Sequence, residues 1–486
     1  MTNRIKSSNT LLTFDANEVT NIKLVWDIEE LKNKDNKENK DKENKAHIKD
    51  EGEEEEQKEK KEEEEKEDDG GPISFHPTYS HQIFNEDKIQ GYEPCKIDIY
   101  MGAGSLTSYI DTNYTLQSKN LTNVEGEFLK VFSKQDPPIS KQSFYKYIEE
   151  KEKLFKPIGK KIHEYSIIDK ESGKETEYEI YFGRITDQVV FRYHEKLQIF
   201  VLWYIDGSSY IWTDDPNWDI FFIFEKRIID GEKRYGITGY STIYNFYHHP
   251  EQTRARISQY LILPPYQRMG HGKYLFNSIY QYYKTNDGFY GPIYDITIED
   301  PADEFNLLRN YVDLKNIMDE KLFDNVILDL NANNKSVFEE IRKKLLIPYK
   351  QSKLCLEIYL FSKFLGTPNS DTKYKEYRIS IKKRLYKQNI GDSEQIEKIK
   401  QQVAEENQEN LRLEQEELQE LQDIENKKNG TNIKVDIKPK ELTTPPGPEK
   451  NKEEIEKDRL EEILELYKEL EKNYHKTLSS LNLISK

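Results

Sequence analysis

Between Ile73 and Asp300 the apolar positions come in short runs rich in Tyr, Phe, Ile and Trp. Glu177–Phe182, Leu197–Ile205, Trp218–Phe224 and Tyr235–Phe246 each read as a strand, because β-branched and aromatic residues suit a pleated surface. Asp206-Gly207 and Asp230-Gly231 punctuate them as turns, so consecutive strands predict an antiparallel meander. Earlier pieces include a strand at Ile97–Met101 and a helix over Phe144–Phe155. After Pro301 the spacing becomes helical: Phe305, Leu308, Val312 and Leu314 begin it, and Val337–Leu346 and Tyr374–Leu385 continue it. Glu394–Lys427 places Ile396, Ile399, Val403, Leu411, Leu418, Leu421 and Ile424 in a highly charged background. A last helix carries Leu460, Ile463, Leu464, Tyr467, Leu470 and Tyr474 at helical spacing. These two amphipathic helices are expected to pair with each other or with a partner.

Charge changes this picture in one place. The formal net charge is −17, and Asp50–Asp69 alone holds fourteen acids against four lysines. Outside that tract the chain is only mildly acidic, so no chain-wide nucleic-acid-binding surface is expected and a basic partner is favoured. The tract belongs to an insert, residues 33–71, made almost wholly of Lys, Glu, Asp and Asn, which predicts a disordered, solvated loop. It follows a short amphipathic start, Thr13–Leu31. Cys95 and Cys355 fit neither a disulfide framework nor a zinc pattern. The first residues lack the apolar run of a signal peptide, and no stretch is long and apolar enough to span a bilayer. The expectation is a soluble protein of cytoplasm and nucleus, bound to neither membrane nor nucleic acid.

The stretch from Ile257 to Asp300 carries the chemistry. Ile257–Leu263 is apolar and strand-like, and Pro264-Pro265 stops its ladder. Gln267-Arg268-Met269-Gly270-His271-Gly272 follows, and then Leu275, Ile279, Tyr282 and Tyr283 repeat at helical spacing. A glycine-bearing loop between a strand and a helix's first turn suits a phosphate, because the unpaired first-turn amides and the helix dipole face an anion. The glycines allow close backbone approach and positive φ. No Walker lysine-serine pair and no third dinucleotide glycine is present.

Gln-x-x-Gly-x-Gly resembles the pyrophosphate loop of the GNAT acetyltransferases. With Ser258–Leu263, His271 and Asp295–Pro301, the segment is similar to the type B histone acetyltransferase catalytic subunits. Tyr79–Phe84, Tyr193–Gln198 and Ile379–Leu385 resemble that family too, so the likeness covers roughly residues 73–390. It implies an α/β (α+β) fold: the mixed sheet of a GNAT acetyltransferase, with an N-terminal domain and a helical C-terminal extension. The division expected is a leading segment 1–72, a histone-binding domain 73–157, a catalytic core 158–300, a helical domain 301–390 and a charged helical, coiled-coil tail 391–486 with a Pro-rich linker at 438–450.

The resemblance also implies acetyl-CoA as co-substrate and no metal. The backbone of Tyr260, Leu261 and Ile262 would grip the pantetheine arm. Gln267, Arg268, Met269, Gly270, His271, Gly272 and Lys273 would hold the pyrophosphate, and Phe305 would touch the coenzyme. Histone contacts carry over onto Glu86, Asp87 and Lys88, onto Trp218, and onto Tyr244, Asn245 and Phe246. Lys88 stands where the family has an acid. Trp218 and Phe246 suit the aliphatic stem of a lysine, and both also suit a strand core.

Presenting a lysine amine neutral at pH 7 costs about 4–5 kcal/mol, given a pKa near 10.4. A carboxylate within reach of the nitrogen, or of one bridging water, offsets this. The family's general base maps onto Glu299, at the end of the strand Ile293–Ile298. Asp300 is a second carboxylate there, but before Pro301 it also reads as a helix cap. Asp206 is a third, where the family tends to have glutamate, and it equally reads as a turn residue before Gly207. The expected activity is acetyl transfer to lysines on the tail of newly made histone H4 in a ternary complex. A WD40-repeat histone-binding subunit is the expected partner. A GNAT transferase for another protein or a small amine, and a non-catalytic acidic histone carrier, are the competing readings.

Overall fold

The computed structural model describes residues 4–5, 13–36, 71–114, 116–117, 121–169, 172–324, 326, 333–368, 371–389 and 452–483. Most of the acidic insert, the stretch Glu394–Lys427 and the Pro-rich linker lie outside the described residues. Residues 1–317 and 338–352 form one compact unit, and residues 318–337 and 353–486 form a second.

The first unit contains two larger sheets. In the N-terminal one, β1 (Thr20–Val25), β2 (Ile73–Phe75), β3 (Lys96–Gly102) and β4 (Ser108–Asn113) lie in the order β2-β1-β3-β4. β1 runs parallel to β3 and antiparallel to β2, with Ile22 opposite Ile99 on one side and Phe75 on the other. The leading segment therefore supplies an inner strand of this sheet. Its Ile22 and Leu24 are fully buried, as an inner strand requires. Helix α1 (Lys141–Glu150) starts at Ser140, whose hydroxyl accepts the Ser143 amide. It turns Phe144 and Ile148 onto Val25, Leu31 and Tyr100. The helix expected over Phe144–Phe155 stops at Glu150 and passes into a 3-10 turn, Glu152–Leu154.

The second sheet has six strands in sequence order: β5 (Lys160–Ile168), β6 (Glu175–Arg184), β7 (Trp218–Ile229), β8 (Glu232–His248), β9 (Gln252–Ile262) and β10 (Ile293–Ile298). The pairs from β5 to β9 are antiparallel, and β9–β10 is parallel. This is the mixed sheet expected of a GNAT fold. One predicted strand is wrong: the residues of Leu197–Ile205 up to Tyr204 belong to helix α2 (Gln188–Tyr204), with Ile205 as its C-cap, and this helix interrupts the meander after β6. Asp187 caps this helix by accepting the Val189 amide at 2.8 Å. Its side chains Tyr193, Leu197, Ile199, Phe200, Val201 and Trp203 are buried on nearly every face. A helix apolar all round shows no polar stripe, and its residues then read as a strand.

Helix α3 (His271–Thr285) crosses over from β9 to β10, and α4 (Asp303–Asp319) and α5 (Lys335–Leu345) follow. In the second unit, the bulk of α6 (Tyr349–Phe364) packs with α7 (Thr372–Asn389) and α8 (Lys452–Ser480). Glu357 organises that unit. Its carboxylate accepts from Arg384 Nη2 at 2.8 Å and from the Tyr474 hydroxyl at 2.9 Å, and its carbonyl accepts from Tyr377. The stripe predicted on α8 is divided: Ile463, Tyr467 and Tyr474 are buried, whereas Leu460 and Leu464 are exposed. Among the described residues, no helix is long and apolar enough to cross a membrane.

Candidate active site

The site lies where β9 and β10 part. Their register runs from Thr253 opposite Ile293 to Ile257 opposite Ile298, and the Glu299 amide makes the last bond, to the Ile257 carbonyl at 2.9 Å. β9 continues to Ile262 without that neighbour. Against β8, Thr242 faces Gln259 while Ile243 faces Ile257, so Ser258 is one residue in excess, a β-bulge. Beyond the bulge the Leu263 amide bonds to Thr238 on the β8 side. By alternation, the backbone groups of Tyr260 and Ile262 point to the edge that β10 has left. An open strand edge flanked by a diverging strand accepts an extended, amide-bearing arm, which fits pantetheine.

Glu299 ends β10 at the mouth of this opening. Its Oε2 accepts from the Ser258 hydroxyl at 2.9 Å in an exposed setting, so the bulge residue orients the carboxylate. Asp300 has φ of +38°. It does not cap α4, because the helix begins at Asp303 and the Ala302 carbonyl accepts its first bond, from Asn306. The cap assigned to Asp300 is therefore corrected: the chain needs a left-handed turn after β10 before it can enter α4, and Pro301 falls in that turn.

The loop after β9 is held at both ends. Pro264–Tyr266 is a 3-10 turn, and Tyr266 is buried. Gln267, Arg268 and Met269 are exposed, and Arg268 (φ +63°) and Gly270 (φ +101°) both take positive φ. Gly270 is the N-cap of α3 with no side-chain cap bond, which leaves the first-turn amides directed at the loop's own space. The Gln267 side-chain Nε2 donates to the Ile262 carbonyl at 2.9 Å. A Cβ on Gly272 would sit 3.1 Å from Leu308 Cδ2, and the Gly272 carbonyl accepts the Tyr260 hydroxyl. The Tyr260 ring meets Phe305 edge-on at 4.7 Å. Tyr260, Ile262, Gln267, Gly272 and Phe305 are thus brought together. His271 begins α3 with its ring buried, Nδ1 2.7 Å from the Tyr165 hydroxyl, and burial pushes its pKa down to about 4. The ring is a structural anchor, and only the backbone of His271 belongs to the loop.

The aromatic group predicted for substrate is half assembled. Trp218 packs edge-on against Tyr244 at 4.8 Å, and Tyr244 against Phe246 at 4.5 Å. Phe246 is exposed, with the Arg256 guanidinium 4.6 Å above its ring. Asn245 faces the other way, as strand alternation demands. It is buried and donates to Asp219 Oδ2 and to the Asn217 carbonyl, both at 2.9 Å. Burial raises the Asp219 pKa, and the bonds from Asn245 and from Tyr283, at 2.8 Å, oppose this. The predicted acidic group does not stand free either. Glu86 is paired with Lys88, and Asp87 accepts the Ser80 amide and the Asn17 side chain, which holds its own turn. Asp206 lies exposed on the turn after α2, 3.8 Å from His81 Nε2. Sequence reasoning missed Ser258; a bulge leaves no mark in residue order.

Among the described residues, no group of three or more His, Cys, Asp or Glu is placed to hold a metal ion. Residues 54–206 match the family described as histone acetyl transferase HAT1 N-terminus, and residues 191–301 match the acetyltransferase (GNAT) family. The histone acetyltransferase type B catalytic subunit of Dictyostelium discoideum is 86% identical over 486 residues, covering 100% of both chains. That of Homo sapiens is 34% identical over 318 residues, covering 64% of this chain and 74% of its own. That of Cryptococcus neoformans is 32% identical over 371 residues, covering 69% and 86%.

Proposed function

The chain belongs to the type B histone acetyltransferase catalytic subunits, and from that premise we propose that it acetylates lysines on the N-terminal tail of newly synthesised histone H4, with Glu299 as general base. Histone acetyltransferase activity and the use of acetyl-CoA follow from the family. The observation that supports the finer reading is the position of Glu299, at the mouth of the opening between β9 and β10 and oriented by Ser258. When bound, acetyl-CoA supplies the activated acetyl thioester.

The residues of the chain divide the remaining work. The open edge at Tyr260 and Ile262 aligns the donor arm, and the amides from Gly270 to Lys273 with the Gln267–Gly270 loop hold its pyrophosphate. The same edge presents N–H groups that suit a developing oxyanion. Trp218, Tyr244 and Phe246 line the approach of a lysine stem. Glu299 accepts the ammonium proton directly or through one water. Asp206 and Asp300 are assigned no step.

A WD40-repeat histone-binding subunit and a histone partner of H4 complete the working complex, in nucleus and cytoplasm. The test uses Glu299→Gln, which keeps a hydrogen-bonding group beside Ser258. Tail acetylation of H4 is expected to fall by about 10²- to 10⁴-fold at neutral pH and to recover partly as pH rises towards the lysine pKa. Mass spectrometry of histone tails gives the modified positions. Full activity of the variant at pH 7 rejects the base assignment, and modification confined to other histones rejects the substrate.

A further inference from the structure

The exposed loop residues Gln267–Met269 lie between two buried anchors. At the far end the anchor is the His271 ring on Tyr165. At the near end it is Tyr266, whose hydroxyl donates to Glu225 Oε2 at 2.8 Å. Glu225, on β7, is itself buried, and Arg227 Nε grips its other oxygen at 2.5 Å, with Nη2 3.3 Å from Oε2. The guanidinium lies 4.0 Å over the Trp26 ring. Trp26 follows β1 directly, is buried, and gives its backbone amide to Glu30. Its ring also rests against Gly236 of β8, where a Cβ would approach within 2.5 Å. A continuous path therefore runs from the N-terminal sheet through Trp26, Arg227 and Glu225 to the residue that precedes Gln267.

We propose that Glu225 is a positioning residue for the coenzyme, acting through the Tyr266 hydroxyl to fix the near end of the pyrophosphate loop. This rests on the reading of Gln267–Gly270 as that loop. A hydrogen bond to a buried carboxylate is stronger than one between neutral groups and tolerates less misplacement. Glu225 is buried and faces Arg227, Tyr266 and, on the neighbouring strand, Tyr178, so its carboxylate has a holding role. Loop amides aimed at a pyrophosphate lose affinity when their backbone wanders, because the ligand must then order them. The Trp26 stack adds that the leading segment, through Arg227, helps to hold the coenzyme loop.

The experiment uses the full chain with Tyr266→Phe, which deletes one hydroxyl and keeps the ring, and with Glu225→Gln, which keeps an acceptor but not the charge. Gly270→Ala serves as the control for the loop itself. The readouts are KM for acetyl-CoA, KM for histone, kcat, and calorimetric Kd for coenzyme A. Tyr266→Phe is expected to raise KM for acetyl-CoA and Kd for coenzyme A by about five- to tenfold, with kcat within about twofold and KM for histone unchanged. Glu225→Gln moves them in the same direction. If Gly270→Ala weakens coenzyme binding and Tyr266→Phe does not, the positioning role is overturned and the loop reading stands. If neither variant alters coenzyme binding, the loop reading fails and takes the positioning role with it. Equal rises in both KM values, with a fall in Tm, mark a general folding defect and also overturn the proposal.

Discussion

The His271 ring is expected to make the Gln267–Gly270 loop sensitive to acid. The ring is 1% exposed, bonded to Tyr165, and boxed by Tyr178 at 4.4 Å and Tyr266 at 6.0 Å. Burial is the cause of its shift, and Nε2 has no hydrogen-bond partner among the described residues. Desolvation therefore lowers its pKa from 6.5 to about 4. At about 1.4 kcal/mol per pH unit this gap corresponds to roughly 3 kcal/mol in favour of the neutral ring. The folded pKa lies below the unfolded one, so between those values the unfolded chain binds the extra proton. The stabilisation is whole above pH 6.5 and drains away as pH falls towards 4. Asp313 acts oppositely over the same range: burial raises its pKa to about 6, so acid favours its folded form. Global stability sums both, and a ring-specific signal is needed. NMR of labelled histidine is expected to show His271 titrating near 4, with coenzyme A affinity falling in step as pH drops through about 5 to 4. A midpoint near 6.5 would refute the burial argument. So would an unaltered pH slope of stability in His271→Gln.

Three further outcomes follow from particular contacts. Gly272→Ala is expected to leave Tm unchanged or slightly raised, since alanine gains about 0.5–1 kcal/mol in a helix and the Leu308 methyl at 3.1 Å must give; calorimetry with coenzyme A should nonetheless show weaker binding, and equal affinity would rule out close approach there. Tyr283→Phe takes one donor from the buried Asp219 carboxylate and should cost about 1–3 kcal/mol in urea unfolding, while an unmoved midpoint would show that Asn245 and the Arg184 ion pair suffice. Tyr474→Phe removes a donor from Glu357 in the helical unit and should cost about 1–2 kcal/mol there, read as faster amide exchange along α8; exchange at the parent rate would contradict it.

The stretch from β9 to β10 was legible because its signals are local: a proline stop, two glycines, a helical repeat and a strand-end acid lie within one run of chain. Helix α2 was not. Its helical spacing was masked by apolar residues on every face, although Asp187 stood in place as a cap. Asn245 was grouped with Tyr244 and Phe246, yet alternation along a strand already assigns it to the opposite face. Asp300 looked like a cap because Pro301 often begins a helix, and only the backbone shows that α4 starts later. Ser258 and the Glu225–Tyr266 bond join residues 41 apart in sequence in each case, through a bulge and a sheet register that residue order does not display.

The pairing of β1 with β2 bears on how this chain can change over evolutionary time. The two strands flank the charged tract, yet they are neighbours in one sheet, with Leu24 opposite Ile73. The sheet therefore fixes the distance between Val25 and Ile73, the strand ends on either side of the insertion, whatever its length. For a chain closed in this way, each doubling of the span adds only about 0.6 kcal/mol, less than one exposed helix glycine. Codons can be gained or lost there with almost no penalty to folding, so the length of this tract is free to drift while both flanking strands stay fixed.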